Sequence, residues 1–266
     1  MARILAVSSF LAHGTIGLMA NAAALRILGH QVLQFPTVIL SNHPGHAHSA
    51  GERVSAAQLA KMLDAIEANG WLENVSAVLT GYLPTRSHVD FADDILERVH
   101  RHSPAAFYVC DPIIGDDPMG VYVEETAAGA LRSILVPVAD VLTPNRFELS
   151  WLSGKAVKGV ESAISAAAAL ACKAVAATSI PGGANESNEL CNVLAAPGVT
   201  QALASPRRER VPHGTGDVFC GLLTGLLARG QRLPVAFHES DRLVREVVAY
   251  SSGWDDLELA PLTQIT

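Results

Sequence analysis

The chain has 266 residues, of which 49% are hydrophobic and 17% are charged, and its formal net charge is −7. This composition supplies a buried core and excludes intrinsic disorder, while an acidic balance without a basic stripe argues against nucleic-acid binding. The four cysteines form no Cys-x-x-Cys pair, and no run approaches the roughly 18 apolar residues of a membrane span, so we expect a soluble cytoplasmic protein without a zinc site.

Short apolar runs alternate with amphipathic stretches along the chain, a pattern typical of a mostly parallel sheet covered by helices. The first run is continuously apolar, as strands buried on both faces are. In the first half we predict strands at 4–7, 31–35, 38–40, 77–80 and 106–110 and helices at 16–28, 56–68 and 89–101.

The alternation continues through the second half without an internal repeat, a low-complexity linker or a break in composition. We therefore predict one α/β domain over residues 1–266. Pro144 is expected to open a helix in the first turn, where proline is favoured. The other predicted elements are helices at 124–135, 162–171, 216–229 and 242–251, strands at 138–143, 175–178 and 190–194, and a loop at 182–185.

Polar or glycine-rich segments follow several of the predicted strands. In open α/β sheets, ligands bind beyond the carboxyl ends of the strands, so these segments are expected to gather along one edge. They are Ser9, Gly81-Tyr82, Asp111, Thr143-Pro144-Asn145 and Thr178.

The most specific segment is Gly214-Thr215-Gly216-Asp217, which leads into an apolar helix. Glycines at a loop-to-helix junction allow backbone N–H groups to approach an anion, and the helix N-terminus adds partial positive charge. Asp217, in the first helical turn, is placed to accept a proton from an attacking hydroxyl. A helix cap explains the same residue types equally well from local sequence alone. The Gly-Lys-Ser/Thr ending of a Walker loop is absent.

Five segments of the chain form a recognisable set: Ser41-Asn42-His43, Thr80-Gly81-Tyr82-Leu83, Cys110-Asp111-Pro112-Ile113-Ile114-Gly115-Asp116, Thr143-Pro144-Asn145-Arg146-Phe147-Glu148-Leu149 and Gly214-Thr215-Gly216-Asp217. With these segments, the chain resembles the pyridoxal kinases of the ribokinase-like superfamily over residues 4–249. The Ser-Asn-His and Thr-Gly-Tyr-Leu segments favour the pyridoxal branch, whereas the others are shared with hydroxymethylpyrimidine kinases or with the whole superfamily.

The resemblance implies a three-layer ribokinase-like sandwich and ATP-dependent phosphorylation of the 5′-hydroxymethyl group of pyridoxal, pyridoxine or pyridoxamine. Asp217 is implied to be the base, and Gly214, Thr215 and Gly216 to form the anion hole for the γ-phosphate. A magnesium ion is implied, and potassium is considered as a further cofactor. The implied metal residues are Asp111, Asp116 and Glu148.

The same resemblance divides the remaining site residues between the two substrates, and it implies a homodimer. The acceptor is expected to contact Ser9, His43, Pro44, Gly45, His46, Tyr82 and Asp217. The nucleotide is expected to contact Asp111, Thr143, Glu148, Thr178, Arg210, Val211, Pro212, His213 and Gly214.

One segment departs from the family. After Ser41-Asn42-His43 the family usually has Thr-x-Tyr, whereas this chain has Pro44-Gly45-His46. Proline removes a hydroxyl and an N–H, and imidazole is smaller and more polar than phenol. Two alternatives therefore stay open: a kinase for hydroxymethylpyrimidine or another small alcohol, and a non-catalytic protein that binds vitamin B6.

Overall fold

The computed structural model describes residues 1–182, 188–208 and 210–264. The strands are β1 Arg3–Leu11, β2 Gln31–Leu40, β3 Gly51–Arg53, β4 Val75–Thr80, β5 Phe107–Cys110, β6 Gly115–Asp116, β7 Gly120–Val121, β8 Val141–Leu142, β9 Val175–Pro181, β10 Glu189–Ala196 and β11 Val199–Pro206. The α-helices are α1 Leu18–Ile27, α2 Ala56–Ala68, α3 Arg86–His102, α4 Glu125–Ala130, α5 Arg146–Ser153, α6 Val160–Ala167, α7 Thr215–Ala228 and α8 Leu233–Tyr250.

The main sheet has nine strands in the order β11-β10-β9-β8-β5-β4-β1-β2-β3. The six strands from β9 to β2 run parallel to one another. Antiparallel strands complete both edges: β3 pairs with β2, and β10 pairs with β9 and β11. The prediction of a mostly parallel sheet is confirmed, and β6 and β7 form a separate antiparallel pair.

Helices cover both faces of this sheet. Residues from α2 to α6 pack in one apolar core, which includes Leu59, Phe91 and Leu149. Residues from α1, α7 and α8 pack in a second core, which includes Phe219 and Phe237. Because both faces are covered, Ile4–Val7 in β1 are fully buried and the strand is continuously apolar. The predicted three-layer sandwich is therefore confirmed.

Several predicted boundaries are wrong for local reasons. Residues 31–35 and 38–40 belong to one strand, because β2 has one extra residue between Pro36 and Ile39, opposite Ser8–Phe10 of β1, and the pairing continues on both sides of it. The helix predicted to begin at Pro144 begins at Arg146 instead, because Asn145 caps it: its side chain accepts from Glu148 N–H at 2.9 Å.

Other boundaries shift at helix ends. After α4 the backbone widens into a π-turn at Leu131–Leu135 and tightens into a 3₁₀ turn at Val136–Val138, so the strand predicted at 138–143 shrinks to β8. The helix α8 begins at Leu233 rather than at 242, with Pro234 in its first turn. Of the loop predicted at 182–185, residues 183–185 lie outside the described residues. No helix in the described parts of the chain is long and apolar enough to cross a membrane.

Candidate active site

The carboxyl ends of the parallel strands meet at one edge of the sheet, as predicted. Backbone N–H groups tie each strand end to its neighbour: Gly81 donates to Val7, and Asp111 donates to Thr80, at 2.7 and 2.8 Å. Thr143 donates to Cys110 at 3.0 Å in the same way. This ladder fixes the backbone from which the candidate site residues project.

Asp217 lies in the first turn of α7 and is buried among the strand ends. The residue that caps this helix, Gly214, has φ 96°, and a Cβ there would lie 1.9 Å from the carbonyl oxygen of Thr15. A glycine is therefore required, because any side chain would collide with backbone that cannot retreat. Asp217 Oδ1 has no hydrogen-bond partner among the described residues. The N–H of Gly17 faces the same carboxylate.

Glu148 is held by a capping box at the start of α5. Its Oε2 accepts from the Asn145 N–H and its Oε1 accepts from the Ile114 N–H, both at 2.9 Å. The Asn145 side chain in turn donates to the Gly115 carbonyl at 2.8 Å. The capping box thus fixes the Glu148 carboxylate beside the end of β5.

Three buried carboxyl groups therefore share this end of the sheet. Burial raises the pKa of Asp217 to about 6 and that of Glu148 to about 7, although backbone N–H groups oppose the shift. Burial also raises the pKa of Asp111 well above its ordinary value, and the charges of Glu148 and Asp217 raise it further. Such clusters of perturbed carboxyl groups are typical of functional sites.

The structure adds a residue that the sequence did not suggest. Tyr122 lies just after β7 and its side chain is partly exposed. Burial of its hydroxyl raises its pKa, and the charges of Glu148 and Asp116 raise it further. Its ring lies 6.4 Å from that of Tyr82, centroid to centroid. No motif marks Tyr122, because its neighbours come from segments that are distant in sequence.

The acceptor loop, residues 41–50, crosses towards the segment that precedes α7. His43 stacks on His213 with ring centroids 4.1 Å apart and an interplanar angle of 18°. Burial lowers the pKa of His43, and the neighbouring His213 and His46 lower it further. Asn42 stabilises the loop from within by donating to the carbonyl of His48 at 2.9 Å.

A cleft of about 300 Å³ opens between this loop and two other segments. Its size is at the lower end for small-molecule sites, which are concave and run from roughly 300 to 1,000 Å³. The lining residues are His13, Ile16, Asn42, His43, Gly45, His46, Arg210, Val211, Pro212, His213, Trp254, Asp255 and Asp256.

The predicted residues thus form two neighbouring groups. The inner group is the carboxyl cluster, Asp111, Glu148 and Asp217. Thr143 follows the end of β8 beside it, and Thr178 lies within β9, bridged to Asn145. The outer group joins the acceptor loop to residues 210–213 around the cleft. Ser9 packs against Gly17, whose N–H faces the Asp217 carboxylate: a Cβ on Gly17 would lie 2.2 Å from the Ser9 hydroxyl.

Two predicted residues need separate comment. Asp116 is exposed in β6 rather than buried with the carboxyl cluster. Pro44 lies in the acceptor loop and is exposed, without lining the cleft. Their assigned roles stay predictions, as do the nucleotide contacts of residues 210–213, which lie with the acceptor loop rather than beside Thr178.

Comparison of the sequence with known proteins identifies a family and several relatives. The sequence pattern of the phosphomethylpyrimidine kinase family matches residues 14–258. A pyridoxal kinase from Corynebacterium diphtheriae is 30% identical over 259 residues, which cover 96% of this chain and 92% of the relative. A pyridoxine/pyridoxal/pyridoxamine kinase from Bordetella avium is 33% identical over 259 residues, which cover 96% and 88%.

The fold has a close counterpart among solved structures. The pyridoxal kinase from Leishmania donovani, solved in complex with ADP and pyridoxine, has a TM-score of 0.91 to this chain. The two chains are 28% identical, and the similarity covers 98% of this chain and 93% of the other.

Proposed function

Since the chain belongs to the phosphomethylpyrimidine kinase family and, within it, to the pyridoxal kinases, we propose that it transfers the γ-phosphoryl group of ATP to the 5′-hydroxymethyl group of a B6 vitamer. The acceptor is pyridoxal, pyridoxine or pyridoxamine. The observation that carries this proposal is Asp217 at the N-terminus of α7, whose buried Oδ1 has no hydrogen-bond partner within the part of the chain that the structure describes.

Asp217 acts as the general base. With a pKa of about 6 it is mostly ionised at neutral pH, yet it is basic enough to take the proton of an alcohol as the phosphorus–oxygen bond forms. The proton moves from the acceptor hydroxyl to the free Oδ1, and the acceptor oxygen attacks the γ-phosphorus while ADP leaves on the opposite side. Positioning and charge stabilisation supply most of the rate enhancement in such transfers.

Backbone N–H groups at the start of α7 stabilise the charge on the transferred group. A Cβ on Gly216 would project into open space, with no atom of the described residues within 4 Å. Packing within the protein therefore does not require glycine at position 216. The requirement comes instead from a phosphate oxygen that lies close to the backbone. The helix N-terminus contributes partial positive charge at the same place.

The residues present also fit a magnesium ion. Asp111 and Glu148 are buried hard-oxygen donors, and the charge of Glu148 raises the pKa of Asp111, a repulsion that a bound cation would relieve. The buried Thr143 hydroxyl lies beside the Asp111 carboxyl. Mg²⁺ is usually held by one or two carboxylates together with substrate phosphates. Asp111 and Glu148 would hold it, with Asp116 at the margin, and it would neutralise phosphate charge.

The acceptor loop supports a second candidate. Pro44-Gly45-His46 replaces the usual Thr-x-Tyr of the family, and His46 lines the cleft. A hydroxymethylpyrimidine is also a six-membered nitrogen heterocycle that carries a primary alcohol, so a kinase for that compound uses the same base and the same anion site. The identity of the ring is the only difference between the two proposals.

The test measures ADP release with a panel of B6 vitamers and hydroxymethylpyrimidine. We expect turnover of at least one vitamer, and we expect Asp217→Asn to lose about 10²–10⁴-fold in kcat while it still binds ATP. The conservative Asp93→Asn variant, on the exposed surface of α3, is the matched control. Turnover of the pyrimidine alone would move the assignment to the second candidate, and no turnover with any acceptor would overturn both.

The remaining properties are proposals from the resemblance. We propose that residues 1–266 act as one catalytic domain, that the enzyme is a cytoplasmic homodimer, and that potassium activates it besides magnesium. Sedimentation of the purified chain and assays in potassium-free buffer test the second and third points directly.

A further inference from the structure

The outer wall of the cleft is built by a segment that none of the family motifs includes. After α8 ends at Tyr250, the chain turns, and the Trp254 N–H donates to the Ser251 carbonyl at 3.0 Å. This turn presents Trp254, Asp255 and Asp256 to the cleft. The Trp254 side chain remains 58% exposed although most large apolar side chains of the protein are buried.

Contacts on both sides hold this outer wall in place. Asp255 pairs with Arg210 at 2.7 Å, and Asp256 pairs with His13 at 3.2 Å. The Thr15 hydroxyl donates to the carbonyl of Leu257 at 2.8 Å, and the Leu257 side chain is buried in the second core. Exposed ion pairs contribute little by themselves, so the buried leucine and the hydroxyl bond provide most of the anchoring.

The cleft adjoins the reaction centre on its inner side. Ile16, which lines the cleft, precedes Gly17, whose N–H faces the Asp217 carboxylate. His213, which also lines it, precedes Gly214 at the cap of α7. A ring compound whose hydroxymethyl group reaches Asp217 therefore has the rest of its ring in or beside this cleft.

We propose that Trp254 contacts the ring of the acceptor and is a specificity-determining residue for the reaction. This inference rests on the proposed function. An indole offers a large flat apolar surface with few rotatable bonds, and it packs well against an aromatic heterocycle. The surface of Trp254 that is exposed in the free protein is then the surface that the acceptor covers.

The exposed Trp71, in the turn after α2, provides a matched control. Its side chain is 48% exposed, comparable with that of Trp254, but it does not line the cleft. The variants are Trp254→Ala, Trp254→Phe and Trp71→Ala. For each, kcat and the KM values for the acceptor and for ATP are measured, and tryptophan fluorescence is titrated with pyridoxal without ATP.

We expect Trp254→Ala to raise the KM for the acceptor about 5- to 30-fold, with kcat and the KM for ATP unchanged. Trp254→Phe should restore most of the affinity, because it keeps a flat ring, and Trp71→Ala should behave as the wild type. Pyridoxal should quench the fluorescence of the wild type and of Trp71→Ala but not that of Trp254→Phe.

Two results would overturn the inference. One is an unchanged acceptor KM in Trp254→Ala together with quenching that persists in Trp254→Phe. The other is an equal loss of kcat and of affinity for both substrates, which would indicate only a structural role. Failure of the proposed function is distinguishable, because it shows as a wild type without turnover, whereas quenching through Trp254 is measured by binding alone.

Discussion

Two glycines at the start of α7 are required for different reasons. Gly214 has a positive φ, and its α-carbon lies against the carbonyl of Thr15, so the folded backbone itself demands glycine. Gly216 has open space where a side chain would begin. Its requirement, in the proposed mechanism, comes from the phosphoryl group and not from the fold.

Alanine substitutions should therefore separate folding from catalysis. We expect Gly214→Ala to lower the free energy of unfolding by about 2–4 kcal/mol, because it combines backbone strain with a collision. Gly216→Ala should leave that free energy unchanged or raise it by up to about 1 kcal/mol, as helical Gly→Ala changes do. Its kcat should nevertheless fall at least tenfold.

Urea unfolding and steady-state assays of both variants make this comparison. A fully active Gly216→Ala enzyme would show that the transferred group does not approach this position. A Gly214→Ala protein as stable as the wild type would contradict the close contact with Thr15.

Individual site residues differ in how far the sequence predicted them. The sequence predicted Asp111, Glu148 and Asp217, because each follows a strand or opens a helix within a recognisable motif, and the structure brings them together as expected. The sequence did not predict Tyr122 and Thr15, because they act through contacts with segments far away in sequence. The pattern of residues in a single sequence gives no information about such contacts.

Among the elements, the acceptor loop has an unusual attachment. The stack of His43 on His213 connects the loop to the segment before α7, and the hydrogen bond from Asn42 to the His48 carbonyl stabilises the loop from within. Stacked aromatic pairs contribute about 0.5–1.5 kcal/mol beyond the area they bury. The stack therefore helps to hold the loop against the segment before α7.

Removing one ring should weaken acceptor binding. We expect His43→Ala to raise the KM for the acceptor about 2- to 12-fold, the factor that corresponds to the energy of one stacked pair, with a smaller effect on kcat. His48→Ala, an exposed histidine of the same loop whose carbonyl and not its ring accepts from Asn42, is the control. Equal KM values in the two variants would show that the stack does not position the loop.

The elements themselves were predictable where the chain is buried on both faces. The apolar runs of β1, β4, β5 and β9 and the long helices α2, α3 and α7 were found from sequence. The antiparallel edge strand β11 was missed because its side chains alternate between half-buried and exposed without a strongly apolar face. Strands β6 and β7 have two residues each, too few to produce a period.

In the molecule as a whole, the carboxyl cluster lowers stability. An aspartate whose pKa is raised to about 6 on folding is protonated in both states below about pH 4, where it costs nothing. Between about pH 4 and pH 6 the unfolded state loses its proton first, so stability falls as the pH rises. Above about pH 6 the loss of stability is complete, and it amounts to about 3 kcal/mol for Asp217.

Asp217→Asn should therefore be more stable than the wild type at pH 7.5, by about 2–3 kcal/mol, and equally stable near pH 4. Urea unfolding of the metal-free and nucleotide-free protein at both pH values measures this difference. The exposed Asp93→Asn variant should differ from the wild type by less than about 0.5 kcal/mol at either pH. A variant that is less stable than the wild type at pH 7.5 would contradict the raised pKa.

The hydrogen bond between Thr15 and Leu257 joins two positions that are 242 residues apart. A ribosome adds about 5–20 residues each second, so Leu257 is polymerised on the order of 10–50 s after Thr15. During that interval the nascent chain carries the acceptor loop and the strand ends but lacks the wall that Trp254 builds. The cleft is consequently completed only after the residues that follow α8 have been synthesised.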